Sequence, residues 1–312
     1  MVKQPTNQPI NEADKLRRER LLKFATNASV LVATLLVIIK SIAWFQTGSV
    51  AMMGSLLDSI LDAAAAIINL IFIRSALRPA DTEHRFGHGK AEPIGGMFQA
   101  MIIGGSAVFL IAESVRRIIE PEMPTNSSLG ISIMLISSVL VATLVFFQRY
   151  VVKQTGSMIV SADALHGFGD ILINLGVIVA LFISTQFDAP LADPVIGILL
   201  AGILLKGSWN IGNSAMQQLM DTEFSQQERE HIRTIARQHS RVRDIHDLRT
   251  RHAGFSSFIQ LHLEMDGNMN LTTAHQIADE VEQSIKNEFT NAEVLIHQDP
   301  QGTEDIDSFL RS

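Results

Sequence analysis

Two pairs of ionisable side chains lie in stretches that otherwise have the composition of lipid-spanning segments. Asp58 and Asp62 sit in LLDSILD, inside an apolar run from about Ala51 to Leu77. His166 and Asp170 sit in LHGFGD, inside a second apolar run from about Met158 to Ile183. Ionised carboxylates are rare in such segments because burying the charge in lipid costs several kcal/mol. Residues at i and i+4 share one face of a helix. Two helices that each present such a pair can close four ligands around one divalent cation. Carboxylate oxygens and an imidazole nitrogen suit Zn2+ in tetrahedral geometry and tolerate Fe2+, Mn2+ or Cd2+. The structural alternative is that each polar group pairs with a neighbouring helix or caps a break. Asp163, three residues ahead of His166, reads as a capping or hydrogen-bonding group at the membrane edge.

Two more groups have the right chemistry. Asp81, His84 and His88 fall in the loop ADTEHRFGHGKAE, at spacings of three and four. Gly87 and Gly89 let that backbone wrap around one ion; the alternative is an exposed polar loop. Farther on, His246, His262, His275, His297 and Asp299 fall on separate elements. His297 and Asp299 lie on the same side of an extended segment. Each of these histidines taken singly is equally an ordinary surface or core residue. His231, His239 and His252 read as surface residues.

The elements that must position these groups follow from composition. The 312 residues are 47% hydrophobic and 18% charged, with no cysteine. Disulfides and thiolate metal sites are therefore excluded. Six apolar windows long enough to cross a bilayer centre near Val32, Ala66, Ile103, Leu140, Ile173 and Leu200. Lys40 in the first span reads as a lysine reaching to the near interface. The N-terminal arm, with Arg17, Arg18 and Arg20, lacks the small-residue site of a cleaved signal. That arm and the loops after spans two and four are basic, which puts them and both termini on the cytoplasmic side.

From Met220 onward the chain carries 17 acidic and 9 basic residues, against 15 and 16 before it. This part is a separate acidic domain. QQEREHIRTIARQHS and LTTAHQIADEVEQSIKNEF have helical periodicity. VRDIHDLRTRHAG, SSFIQLHLEMDG and AEVLIHQD read as strands. The expected fold is a six-helix transmembrane domain followed by a C-terminal α+β domain of order αββαβ. The expected divisions are a cytoplasmic arm at 1–22, a membrane domain at 23–217 and a cytoplasmic metal-binding domain at 218–312.

The stretches LLDSILDAAAAIIN, PADTEHRFGHGKAEP, SADALHGFGD, HDLRTRHAGFSSFIQLHLEM and VLIHQDP together resemble the cation diffusion facilitator family. The likeness is to its bacterial zinc and ferrous-iron efflux branch, and it runs from about Phe24 to Pro300. It implies a homodimer of six-span protomers, each with a metallochaperone-like cytoplasmic domain. Asp58, Asp62, His166 and Asp170 match the family's transport site. Asp81, His84 and His88 match its loop site. His246, His262, His275, His297 and Asp299 match its cytoplasmic dinuclear site near the dimer contact. Lys90 and Asp221 match a charge pair that ties the two halves together. One departure is Gly167-Phe168-Gly169, where bulkier and more polar residues stand in close relatives. Two glycines weaken a helix by about 1 kcal/mol each relative to alanine, and they permit a bend or close packing.

The expectation is a bacterial inner-membrane antiporter rather than an enzyme. It would export Zn2+, with Fe2+, Cd2+ or Mn2+ as other cargoes, and take protons as counter-ions. Zn2+ would also be held as a regulatory ion. A membrane metalloenzyme fits less well, because four protein ligands close the coordination shell. The remaining alternative is a membrane metal sensor without transport. The chain has no HExxH, and its C-terminal domain has no recognisable catalytic or DNA-binding motif.

Overall fold

The computed structural model describes residues 12–47, 50–120, 128–187, 191–289 and 291–302. The start of the basic arm, most of the turn EPEMPTNSS and the tail beyond 302 lie outside the described residues. The chain divides near residue 216 into two compact units.

The first unit is built from six helices: α1 (Glu12–Thr47), α2 (Val50–Ala76), α3 (Ala91–Ile119), α4 (Ser128–Thr155), α5 (Met158–Phe187) and α6 (Ala192–Leu219). All six are long and apolar enough to cross a membrane. Their burial pattern is inverted relative to a water-soluble bundle. Large apolar side chains such as Phe45, Phe109 and Trp209 face outward. Inside lie small residues and neutral polar ones: Ser29, Ser59, Asn69, Gln99 and Gln148. Lipid is as apolar as leucine, so association of membrane helices depends on close packing and interhelical hydrogen bonds.

The start of α5 sets the rotational phase of His166 and Asp170, and three devices fix it. Gly156 adopts φ 69°, the left-handed conformation glycine tolerates best, and ends α4. Its N–H reaches the Val152 carbonyl at 2.8 Å. Ser157 Oγ accepts from the Val160 N–H at 3.3 Å. From the first turn of α3, the buried Glu92 carboxylate accepts the Met158 N–H at 2.6 Å.

The glycines flanking Phe168 serve close packing. A Cβ on Gly167 would stand 2.9 Å from a Val145 methyl of α4. One on Gly169 would stand 2.7 Å from a Leu204 methyl of α6. Lys40, seven residues before the end of α1, donates from its Nζ to the Ser55 carbonyl near the start of α2 at 3.2 Å.

The second unit contains α7 (Gln226–Arg237), β1 (Asp244–Ala253), β2 (Ser256–Met265), α8 (Leu271–Glu288) and β3 (Ala292–Pro300). The order αββαβ is the expected one. Ser225 and Glu228 form a reciprocal capping box at the start of α7, and Asn270 caps α8. The sheet order is β1-β2-β3, with β1–β2 antiparallel and β2–β3 parallel. Ile259, Leu261, Leu263 and Met265 alternate into a core shared with Ile232 of α7 and Val281 and Ile285 of α8. The intervening residues of β2, including His262 and Glu264, therefore project from the opposite face of the sheet.

His252 departs from its surface reading. It is half-buried and stacks on Phe224 with ring centroids 4.1 Å apart. Burial pushes its imidazole below the usual 6.5.

Two outcomes follow from the packing. Gly169→Val is expected to destabilise the helical unit by about 1–3 kcal/mol through overpacking, seen as a lower thermal midpoint in detergent. For His252, the unfolded chain binds a proton that the folded chain resists. Its contribution to stability is intact above 6.5 and is lost as pH falls toward the lower folded value. Denaturant unfolding of His252→Phe should show a weaker loss of stability below that pH than the parent chain.

Candidate metal centres

α2 and α5 bring together Asp62, His166 and Asp170. Each offers a ligand atom, and these atoms lie within 4.8 Å of one another. His166 Nε2 and Asp62 Oδ1 approach to 2.8 Å. Donor atoms around a tetrahedral zinc sit about 3.3–3.5 Å apart, given bonds of roughly 2.0–2.2 Å. The shorter approach is a hydrogen bond, so a proton and a metal ion compete for the same gap. Asp58 does not join this group; one turn earlier on α2, it is exposed. It remains within electrostatic reach of Asp62 and His166.

Asp163 is a hydrogen-bonding group, and its partners lie on other helices. Its carboxylate accepts from Ser29 Oγ of α1 at 2.6 Å and from Gln148 Nε2 of α4 at 2.5 Å. It also accepts from Asn69 Nδ2 of α2 at 3.4 Å. Asn69 Nδ2 in turn reaches Gln99 Oε1 of α3 at 3.4 Å. One carboxylate thus ties α5 to α1, α2 and α4 directly, and to α3 through Asn69. Sequence reasoning passed over Ser29, Asn69, Gln99 and Gln148. The available signal was a neutral polar residue isolated in an apolar span, which lipid does not favour unless another helix satisfies it.

The loop after α2 gathers Asp81, His84 and His88 within the same 4.8 Å limit. Asp81 Oδ1 accepts the backbone N–H groups of His84 at 2.7 Å and Glu83 at 3.0 Å. The bond from His84 is the main cause that holds the Asp81 carboxyl below the usual carboxylate range. His84 Nδ1 and His88 Nε2 each lie 3.3 Å from an Asp81 oxygen. Gly87, at φ 76°, turns the chain so that the two rings meet with centroids 4.5 Å apart. Two imidazoles and a carboxylate fit a borderline divalent ion such as Zn2+.

In the second unit the pairing register decides the site. His246 of β1 lies opposite His262 of β2, and His262 lies opposite His297 of β3. Three strands therefore place three imidazoles in one row, with centroids 5.1 Å and 4.6 Å apart. Asp299 binds the row together. Its oxygens stand 2.8 Å from His262 Nδ1, 3.3 Å from His246 Nε2 and 3.2 Å from His297 Nε2. His246, His262 and Asp299 form the tight group, and His297 sits at its exposed rim. His275 stays apart on α8, 67% exposed and 3.6 Å from Asp279.

Two acidic neighbours were missed. Glu264 Oε1 lies 3.2 Å from His246 Nδ1, and Asp247 lies 3.8 Å from His262 Nε2. Glu264 was discoverable, since it is two residues from His262 on a strand and so shares its face. Asp247 was not, because a register shift between His246 and Arg249 and a φ of 46° bring it there.

Comparison with known proteins covers nearly the whole chain. The cation efflux transmembrane domain matches residues 27–220, and the cation efflux protein cytoplasmic domain matches 224–301. The cation-efflux pump FieF of Shewanella oneidensis is 42% identical over 89% of this chain and 94% of its own length. FieF of Cronobacter sakazakii is 43% identical over 90% and 93%. Protein p34 of Rickettsia rickettsii is 40% identical over 94% and 96%. Among solved structures, the zinc form of CzrB is 32% identical, with a TM-score of 0.26, over 27% of this chain and 98% of its own.

Asp299 touches each imidazole of the row, so its loss should cost most. Asp299→Ala is expected to weaken zinc binding at the soluble site by roughly tenfold or more, measured by competition with a chromophoric chelator on the full-length protein. Glu264→Ala should have the smaller effect.

Proposed function

The chain belongs to the cation efflux family, the cation diffusion facilitators, and from that premise we propose that it exports divalent metal cations across a bacterial inner membrane in exchange for protons. The observation that carries this reading is the Asp62–His166–Asp170 group. It is an ionisable cluster shared by two helices, inside a bundle whose outer surface is apolar. Such a cluster has no use in holding helices together that neutral residues would not serve at lower desolvation cost.

Zn2+ is the proposed main cargo, with Fe2+, Mn2+ and Cd2+ accepted by the same nitrogen and oxygen donors. Asp58 is proposed as the fourth donor, which swings in from the edge of the group as the ion arrives. Every donor must be free of protons to bind the ion. Metal entry from the cytoplasm therefore releases protons, and protonation from the opposite side releases the metal. Access alternates by rocking of helices around the fixed site. The helix-packing glycines at 167 and 169 keep α5 close to α4 and α6, so that it moves with them.

The loop group and the histidine row are proposed as resident Zn2+ sites. Asp81, His84 and His88 would hold one ion. His246, His262, His297 and Asp299 would hold ions at the dimer contact, with His275 contributing as the two protomers meet. The bound metal supplies a cross-link there. The proposed membrane domain is 23–217 and the proposed cytoplasmic domain 218–312, with both termini on the cytoplasmic side.

The test uses the full chain in sealed vesicles with an imposed pH gradient. Zinc flux should rise with the gradient and fall at least tenfold in Asp62→Ala, while that variant keeps its chromatographic profile. Zinc flux indifferent to the gradient would exclude exchange with protons. Retained flux in Asp62→Ala would exclude this group as the transport site.

A further inference from the structure

The hydrogen-bonded cluster around Asp163 lies on the loop side of the transport group. α5 begins beside the first turn of α3, and Asp163 precedes His166 by three residues, about 4.5 Å along the axis. A cleft of about 50 Å3 is lined by Asp163, Ser29 and Gln148 and also by Asp62, His166 and Asp170. One space thus connects the Asp163 cluster to the transport group.

The cleft is polar where it needs to be. Gln148 Oε1 and Ser59 Oγ line it, are buried, and have no hydrogen-bond partner in the protein. A buried water needs roughly 10–15 Å3 and two to four polar partners. The cleft has room for about three waters and supplies the acceptors.

We infer that this cleft holds a short file of water and that Asp163 is a proton-relay residue between the transport group and the loop end of the bundle. The inference rests on the exchange of metal for protons proposed above. A proton displaced by the arriving cation passes along the water to an Asp163 oxygen. Asp163 then gives a proton to the Ser29 oxygen as that hydroxyl releases its own proton to water at the loop end, so one proton enters and one leaves and charge is conserved at each step. Ser29, Gln148 and Asn69 all donate to this carboxylate, and they hold its negative charge between transfers. Among the described residues, the titratable groups facing this path are His166 and Asp170 on α5 and Asp62 on α2. α1, α3 and α4 present the neutral Ser29, Gln99 and Gln148.

The experiment follows zinc and protons together, with the full chain in proteoliposomes and a pH dye inside. Asp163→Asn keeps the shape but cannot carry a proton. It is expected to bind zinc within about twofold of the parent in a calorimetric titration, yet to move zinc and protons at least tenfold more slowly. Asp163→Glu should restore most of the rate. Ser29→Ala removes only a hydroxyl and should slow both fluxes several-fold, which keeps the test decisive if Asp163→Asn folds poorly. Parent-like rates in Asp163→Asn, or in Ser29→Ala where the first variant does not fold, would overturn the relay. Loss of zinc binding in step with the rate would also overturn it, by making Asp163 a support of the metal group. Absence of zinc-driven proton movement in the unmodified chain would overturn the exchange reading itself, and that result is seen before any variant is made.

Discussion

A charged or chargeable side chain inside an apolar bundle must find its partner on another helix, because lipid offers none. His166 and Asp62 meet at 2.8 Å across α5 and α2 under that constraint. Much of the helical unit can be read as serving this contact. Gly156, Ser157 and Glu92 fix where α5 begins, and hence which face carries His166 and Asp170. Gly167 and Gly169 let α4 and α6 approach that helix closely. The polar network around Asp163 ties the same helix to α1, α2, α3 and α4.

The two units solve the problem of gathering ligands in different ways. In the bundle, the candidate donors come from helices, where i and i+4 select one face and the crossing of two helices closes the set. In the soluble unit they come from three strands, where register does the selecting. His246, His262 and His297 share one row because β3 pairs parallel to β2 without a shift, and the irregularity in β1 between His246 and Arg249 sets His246 opposite His262. A shift by one residue would send His262 into the core face now held by Leu261 and Leu263. The hydrophobic alternation of β2 that secures the core thereby also secures the row of imidazoles.

Some site residues were legible because their chemistry conflicts with their surroundings. Asp62, His166 and Asp170 stand out in apolar runs, and Asp81, His84 and His88 have spacings that suit one turn. The six spans and the order αββαβ follow from periodicities of 3.6 and 2 that need no knowledge of contacts. The family resemblance added the grouping of five distant residues in the soluble unit. Of these, the chain itself gathers His246, His262 and Asp299 tightly, with His297 at the rim and His275 apart.

Other residues were hidden for physical reasons. Gln99 and Gln148 are ordinary polar residues until helix packing buries them beside Asp163. Asp247 reaches His262 through an irregular strand. Asp58 has the same type, spacing and setting as a ligand, yet its side chain lies outside the tight group. The sequence by itself determined which residue types enter the membrane, which face of each helix carries them, and which strand positions avoid the core, since these depend on local geometry and transfer energy alone. Only the tertiary structure decided which partners meet across helices and strands. Those meetings depend on helix crossing, register and side-chain reach between residues as far apart as Ser29 and Asp163, 134 positions along the chain, and no local pattern encodes them.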